Sequence, residues 1–190
     1  MKIILASGSP RRKELLSYIT EDFEVSVSDV EEIIPENMKP LEASEYLAEL
    51  KAKSVAEKYP DSLVIGCDTS VILDDEIMGK PSDEKQCREY LEKLSGKVHI
   101  VATGCCLILN GVSRKFTELT KVYFRKLRDS EISDYIATGE PFDKAGGYGI
   151  QGKGSLFIEK IEGDFFNVVG LPVCRLNTEI SLMKGTLKNE

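Results

Sequence analysis

The chain has 190 residues, of which 42% are hydrophobic and 30% are charged, and its formal net charge is -7. This length and composition are typical of a globular protein that buries a core without disulfides or metals, and they predict one domain over residues 1–190, although two small domains would also fit. The acidic balance argues against nucleic acid or an anionic membrane as the main partner, because both require a dominant basic face.

Helical and strand patterns alternate early in the chain, whereas long hairpins dominate its middle. The predicted strands are Ile3–Ala6, Phe23–Val27, Leu63–Cys67, Ser70–Leu73, Val98–Leu109, Val112–Phe124 and Leu156–Ile161. The predicted helices are Pro10–Ile19, Ala43–Lys58, Asp83–Leu94, Ser130–Thr138 and a last one from Pro172. We therefore expect an α/β fold, mixed α+β in arrangement, with a twisted central sheet flanked by helices.

The cysteine and histidine contents restrict the chemistry. The five cysteines form an odd set with no C-x-x-C pair, which indicates reduced, buried thiols. The chain has a single histidine, His99, which excludes His-rich metal sites. Because His99 lies in a predicted strand, a Ser-His-Asp arrangement is also disfavoured. Carboxylates are then the candidates for proton transfer. The amino terminus is too short an apolar run for a signal peptide, and we expect a cytoplasmic protein.

The segment "LASGSPRRKELL" combines a strand, a turn of small residues and a helix start. Ser9 suits the N-cap and Pro10 the first helical position. Arg11 and Arg12 follow in the first turn, where the helix dipole disfavours cations by roughly 0.3–1 kcal/mol each. Free backbone N–H groups, hydroxyls and two guanidiniums are donors suited to phosphate oxygens. The segment predicts a phosphate site; the alternative is that both arginines pair with surface acids.

The segment "VIGCDTSVILDDEIMGKP" places Asp68 directly after a buried strand, followed by Thr69. A carboxylate at a strand end can hold Mg²⁺ or activate a water, although a solvated turn acid is the alternative. Asp74-Asp75 is typical of a hairpin turn. Lys80 is not part of a Walker motif, because no G-x-x-x-x-G-K-[ST] occurs in the chain. A lysine between Gly and Pro can still act as a fixed charge for phosphate.

The segment "FDKAGGYGIQGKG" matches G-x-G-x-x-G literally, yet a strand is predicted after it where a dinucleotide-binding motif needs a helix. We interpret it as a pocket lined by backbone, in which Tyr148 can stack and Gln151 can pair with a planar base. A flexible surface loop is the alternative. Two weaker candidates are Glu32, as a metal ligand, and Lys51, which flanks the apolar stripe of its helix and could simply extend to water.

Taken together, these motifs resemble the Maf family of nucleoside triphosphate pyrophosphatases, within the wider group similar to inosine triphosphatase. The resemblance runs from "ILASGSPRRKELL" through "GCDTSV", "GKP", "LSGKVHIVATG" and "DKAGGYGIQGKG" to "FFNVVGLP". It implies a curved mixed sheet, a deep cleft between two lobes, and hydrolysis of a nucleoside triphosphate to the monophosphate and pyrophosphate. It also implies a divalent cation (Mg²⁺, Mn²⁺ or Co²⁺), a homodimer in some members, and a link to cell-division arrest.

The resemblance also implies roles for individual residues. Asp68 matches the proton acceptor and, with Glu32, an acidic metal site. The positions that match phosphate-side groups are Ser7, Arg12, Lys51 and Lys80. Arg11, Thr69 and Gln151 match positions that separate subgroups, and their identities resemble the branch acting on dTTP and UTP. Gly147 replaces an alanine common in the family.

The resulting hypothesis is that Asp68 activates a water for attack on the α-phosphorus of dTTP, UTP or a modified pyrimidine nucleotide. Three alternatives stay open. The chain could be a nucleotide-sensing regulator that does not hydrolyse its ligand, a pyrophosphatase directed at purines, or a phosphatase that releases inorganic phosphate.

Overall fold

The computed structural model describes residues 2–186 of the chain. Its helices are α1 (Pro10–Ser17), α2 (Pro40–Ala56), α3 (Glu84–Leu94), α4 (Asp129–Ile136), α5 (Phe165–Val169) and α6 (Val173–Thr186). Its strands are β1 (Ile3–Leu5), β2 (Glu24–Val25), β3 (Leu63–Leu73), β4 (Glu76–Met78), β5 (Val98–Leu109), β6 (Val112–Phe124) and β7 (Ile158–Glu162). The strands form one seven-stranded sheet in the order β2-β1-β3-β5-β6-β7, with β4 paired to β3.

The sheet is mixed, as the sequence predicts. Strand β1 runs parallel to β2 and β3, whereas the β3–β4, β3–β5, β5–β6 and β6–β7 pairs are antiparallel. The predicted α/β class with a mixed central sheet and flanking helices is therefore confirmed.

The predicted break at Asp68-Thr69 is wrong. Strand β3 continues without interruption from Leu63 to Leu73, and both residues pair in register with β5, at Gly104 and Thr103. Their polar side chains indicate exposure to the cleft and not a turn. Asp68 therefore lies in the middle of a strand and not at its end.

Three further elements differ from the sequence prediction. Strand β4 and the short helix α5 were not predicted, and the predicted strand Leu156–Ile161 begins only at Ile158, after the 3-10 turn Lys153–Phe157. Both new elements have only three to five residues, which is too short for hydrophobic periodicity to reveal.

Two hairpin turns are confirmed by their backbone angles. Asn110 and Gly111, between β5 and β6, have φ of 49° and 78°, and Asp74 and Asp75, between β3 and β4, have φ of 49° and 64°. Positive φ at both central residues is the signature of the type I′ turn, whose twist matches that of paired strands.

The long strands β3, β5 and β6 pass through two apolar cores. Near one end, Ile65 and Leu107 pack with residues of α1 and α6. Near the other end, Val71 and Val101 pack with α3 and α4. Between these cores the burial of β3 is interrupted at Asp68 and Thr69. The middle of β3 is therefore the floor of the cleft between two lobes.

Helix α2 lies unusually close to the sheet because two glycines face it. A Cβ on Gly66 of β3 would lie 2.2 Å from the Ala48 carbonyl oxygen, and one on Gly104 of β5 would lie 2.3 Å from the Glu45 amide nitrogen. Real Cβ atoms do not approach backbone so closely. The missing side chains thus let α2 approach β3, and Lys51 of α2 reaches Asp68.

Candidate functional site

A single cavity of about 1010 Å³ brings together all nine residues that the sequence singles out. They are Ser7, Arg11, Arg12, Glu32, Lys51, Asp68, Thr69, Lys80 and Gln151. The volume reaches the upper end of the about 300–1,000 Å³ that is typical of small-molecule sites. Five basic and four acidic side chains line it, so the wall is locally positive in a chain whose formal net charge is -7.

Lys51 holds two carboxylates on the α2 side of the cleft. Its Nζ lies 2.7 Å from Asp68 Oδ1 and 2.8 Å from Glu32 Oε2. The side chains of Lys51 and Asp68 are only 12% and 13% exposed, whereas that of Glu32 is 52% exposed. Among the hydrogen bonds within residues 2–186, none reaches the second oxygen of Asp68. That oxygen remains available to a water or a cation.

Side chains alternate along a strand, so Thr69 points to the face of β3 opposite that of Asp68. Arg12 contacts β3 on this Thr69 face. Its Nε donates to the Gly170 carbonyl (2.9 Å), Nη1 to Ser7 Oγ (3.2 Å) and the Cys67 carbonyl (2.8 Å), and Nη2 to Thr69 Oγ1 (3.0 Å). Four of the five guanidinium N–H donors are thus used. The charge is held rigidly, with one Nη2 hydrogen left for a ligand.

Helix α1 starts as the sequence predicts. Ser9 is the N-cap, its hydroxyl accepts from the Arg12 amide (3.4 Å), and Pro10 opens the helix. The first turn has no acidic residue to offset the two arginines. Other parts of the fold compensate the two positive charges. Arg12 donates to the four acceptors named above, and Arg11 pairs with Asp143.

Arg11 pairs with Asp143 across the mouth of the cleft. Arg11 Nη1 lies 2.8 Å from Asp143 Oδ2, and Lys144 Nζ lies 2.6 Å from Oδ1. Burial alone would raise the pKa of Asp143, but the hydrogen bonds from Lys144 and Arg11 lower that pKa to about 2. The pair joins the start of α1 to the segment that precedes the glycine-rich loop.

The half-buried carboxylate of Glu140 fastens the glycine-rich loop. Its oxygens accept from the amides of Lys153 (2.9 Å) and Gly154 (3.3 Å) and from the Tyr135 hydroxyl (3.0 Å), and that hydroxyl accepts from the Gly149 amide (3.1 Å). Burial opposes ionisation, yet the two amides and Tyr135 hold the pKa of Glu140 below its ordinary value. The loop that carries Gln151 is therefore tied at three backbone amides.

Three lining groups have hydrogen-bonding capacity to spare. The side chains of Lys80 and Gln151 are exposed and have no hydrogen-bond or ion-pair partner within residues 2–186. Ser7 Oγ accepts from Arg12 and from the Ser9 amide (3.3 Å), so its hydroxyl hydrogen is free. All three can donate to a ligand in the cavity.

Several residues of the site were missed by sequence reasoning. The Gly170 carbonyl holds Arg12, and Gly170 itself has φ of 123°, a conformation that favours glycine. Glu140 lines the cavity but acts by holding the glycine-rich loop, and Thr103 lies buried behind the cavity wall. The available signal was a glycine directly after the apolar run "FFNVV"; nothing in the local pattern indicates Glu140 or Thr103.

The carboxylates of the cleft do not form a metal site with three or more protein ligands. Within the part of the chain that the structure describes, no group of three or more His, Cys, Asp and Glu side chains could hold an ion. Over the same residues, no helix combines the length and the apolar composition needed to cross a bilayer.

Comparison with known proteins identifies the class. The family model described as "Maf-like protein" matches residues 2–183. The chain therefore belongs to the Maf family, and the resemblance noted in the sequence is confirmed.

Individual relatives extend this result. A Bacillus cereus protein named "dTTP/UTP pyrophosphatase" is 51% identical to the chain, over 94% of both sequences. A protein of the same name from Geobacillus sp. (strain WCH70) is 50% identical, over 94% of this chain and 96% of its own. Among solved structures, the Staphylococcus aureus Ham1 protein aligns with a TM-score of 0.48 and 17% identity, over 65% of this chain and 72% of that one.

Proposed function

We propose that the chain is a nucleoside triphosphate pyrophosphatase that hydrolyses dTTP and UTP to the monophosphate and pyrophosphate. The observation that carries the proposal is the shared cavity, in which Arg12, Lys51 and Lys80 accompany Asp68. The names of relatives at 50% and 51% identity support the same activity and the same pair of nucleotides.

Asp68 is proposed as the general base. Lys51 occupies one carboxylate oxygen at 2.7 Å and so orients the group, while the other oxygen can accept a proton from water. Attack of that water on the α-phosphorus would transfer its oxygen to the monophosphate and expel pyrophosphate. Ser7, Arg12 and Lys80 are proposed to bind the polyphosphate, because they can donate hydrogen bonds to its oxygens or supply positive charge there.

A divalent cation fits beside these residues. Glu32 and Asp68 would supply the oxygen ligands that Mg²⁺ prefers, and both lie within 2.8 Å of the same Lys51 Nζ. Mg²⁺ usually takes only one or two protein carboxylates and completes its shell with water and substrate phosphates. Such an ion neutralises charge on the phosphates. Mn²⁺ and Co²⁺ are alternatives.

Gln151 and the glycine-rich loop are proposed to receive the base, and Arg11 to lie close to the nucleotide once its pair with Asp143 opens. A single domain, a homodimer, a cytoplasmic location and a link to cell division stay predictions from the sequence.

Product analysis tests the proposal. Incubation of the protein and MgCl₂ with dTTP, UTP, CTP and ITP in H₂¹⁸O is expected to yield the monophosphate and pyrophosphate, with the label in the monophosphate. Asp68→Asn is expected to lose at least 90% of turnover, which corresponds to about 1.4 kcal/mol or more of barrier. An exposed acid of the same charge, Glu159, provides the control variant Glu159→Gln.

Other outcomes identify the alternatives. Inorganic phosphate as the product would indicate a phosphatase, and a preference for ITP would indicate a purine-directed enzyme. Nucleotide binding without turnover at any metal concentration would indicate a sensor. Undiminished turnover by Asp68→Asn would remove Asp68 from its proposed role.

A further inference from the structure

A chain of hydrogen bonds leads from the cleft into the protein interior. Arg12 Nη2 donates to Thr69 Oγ1 at 3.0 Å, Thr69 Oγ1 lies 3.0 Å from Thr103 Oγ1, and Thr103 Oγ1 donates to the Asn167 carbonyl at 2.9 Å. Thr69 and Thr103 are direct partners on β3 and β5. Thr103 and Asn167 are fully buried, whereas Thr69 lines the cavity.

The two ends of this chain fix the direction of every hydrogen. The Arg12 guanidinium can only donate and a carbonyl can only accept. The amide four residues after Asn167, that of Leu171, donates to the Phe166 carbonyl instead. The buried main-chain carbonyl of Asn167 therefore accepts the hydrogen of Thr103, since leaving this carbonyl unpaired would be costly. Thr103, having used its hydrogen, accepts the hydrogen of Thr69.

The Asn167 end of the chain is itself held in place. The side-chain Nδ2 of Asn167 donates to the Val101 carbonyl at 3.0 Å and to Thr120 Oγ1 at 2.9 Å. These bonds fasten α5 to β5 and β6, so the acceptor for Thr103 cannot rotate away. The orientation of the Thr69 hydroxyl thus depends on a rigid interior.

Thr69 consequently presents only an acceptor to the cavity. Its hydrogen is directed to Thr103, one lone pair is taken by Arg12, and one lone pair remains. Ser7 has the opposite polarity, because its oxygen accepts two bonds and its hydrogen is free. Ionised phosphate oxygens carry no hydrogen and suit Ser7. A partner of Thr69 must bring an N–H or O–H group, which belongs to the base or sugar of a nucleotide.

We propose that Thr103 is a positioning residue that sets base selectivity: by accepting the Thr69 hydrogen, it makes Thr69 an acceptor for the N3–H of uracil or thymine. Cytosine presents a lone pair at N3 and would be repelled. This inference rests on the proposed function of the cleft and extends it to a buried residue that contacts no ligand.

The test is the ratio of kcat/KM for UTP to kcat/KM for CTP. Thr103→Val keeps the shape of the side chain but cannot accept a hydrogen, so the Thr69 hydroxyl is free to turn and donate to cytosine N3. We expect the ratio to fall about tenfold, equivalent to ~1.4 kcal/mol, through a gain in CTP hydrolysis. Thr103→Ser restores the hydroxyl and is expected to restore the ratio to within about threefold of wild type, or ~0.65 kcal/mol.

A second variant keeps the proposal testable if Thr103→Val does not fold. Thr69→Val removes the acceptor itself and is expected to lower the same ratio, and adding Thr103→Val to it should change the ratio no further. A ratio that stays within twofold of wild type in folded Thr103→Val or in Thr69→Val overturns the proposal. Failure of the wild-type protein to hydrolyse either dTTP or UTP would instead refute the proposed function.

Discussion

Replacing Gly66 by alanine tests whether the close contact between α2 and the sheet positions Lys51 against Asp68. The new Cβ would lie 2.2 Å from the Ala48 carbonyl oxygen, 2.8 Å from the Ala52 amide nitrogen and 2.9 Å from Ala52 Cβ. Two of these atoms belong to helix backbone and cannot rotate away. Relief to an ordinary contact of roughly 3.5 Å requires α2 to move by at least about 1 Å.

The magnitude follows from two opposing effects. Overpacking typically costs about 1–3 kcal/mol, and a clash with two backbone atoms and one Cβ of the same helix belongs at the upper end. Reduced entropy of the unfolded chain returns only about 0.4–1 kcal/mol. We expect a net loss of about 2–3 kcal/mol in the free energy of unfolding. Movement of α2 by ~1 Å would also lengthen the 2.7 Å contact between Lys51 and Asp68 beyond hydrogen-bonding distance.

The assay is urea unfolding together with kcat/KM for UTP. Gly66→Ala should lower the unfolding midpoint without changing the slope, and the variant that remains folded should lose at least tenfold in kcat/KM. Gly185→Ala is the matched control, since a Cβ there meets nothing within 4 Å, and it should be neutral or stabilising. A loss below about 1 kcal/mol with normal turnover for Gly66→Ala would refute the reasoning.

Three further predictions concern the walls of the cleft and the core. Arg12→Lys cannot serve four acceptors from one ammonium group, so kcat/KM for UTP should fall at least about tenfold, with Lys13→Ala, exposed on the same helix, as the control. Glu140→Gln leaves two loop amides and the Tyr135 hydroxyl without their carboxylate acceptor, so KM should rise several-fold with a smaller change in kcat, while the exposed control Glu159→Gln changes neither. Burial lowers the pKa of His99 to about 4. As the pH falls below about 6.5, His99 therefore takes up a proton in the unfolded chain before it does so in the folded protein. The free energy of unfolding should drop by ~1.4 kcal/mol per pH unit between about 6.5 and 4. His99→Phe should flatten that pH dependence in thermal or urea unfolding; an unchanged slope would show that another group is responsible.

Much of the fold could be predicted because the sequence marks it locally. Ser9 and Pro10 mark the start of α1, Asn110-Gly111 marks a hairpin, and the apolar runs mark the long strands. The break predicted at Asp68 was wrong because an exposed polar pair inside a buried strand looks like a turn until the cleft is known. Short elements such as β4 and α5 depend on tertiary contacts and leave no periodic signal.

The site shows the same division between local and long-range information. Single residue types in special places, such as Arg12 in a first helical turn or Asp68 after a buried apolar run, pointed to side chains that line one cavity in the structure; their roles stay predictions. The groups that orient them could not be predicted, because a carbonyl acceptor such as that of Gly170 can belong to any residue. Thr103 looks like an ordinary strand residue; its importance comes from its register partner, Thr69.

The strands β3, β5 and β6 cross from one lobe to the other without a break, and this limits how the protein can enclose a nucleotide. Rotation of one lobe relative to the other would require three hydrogen-bonded strands to bend together at the cleft. Enclosure is therefore expected to use small movements at the rim, such as parting of Arg11 from Asp143, while the floor formed by the middle of β3 stays fixed. The cleft would then have a rigid floor and a movable rim, without rotation of one lobe against the other.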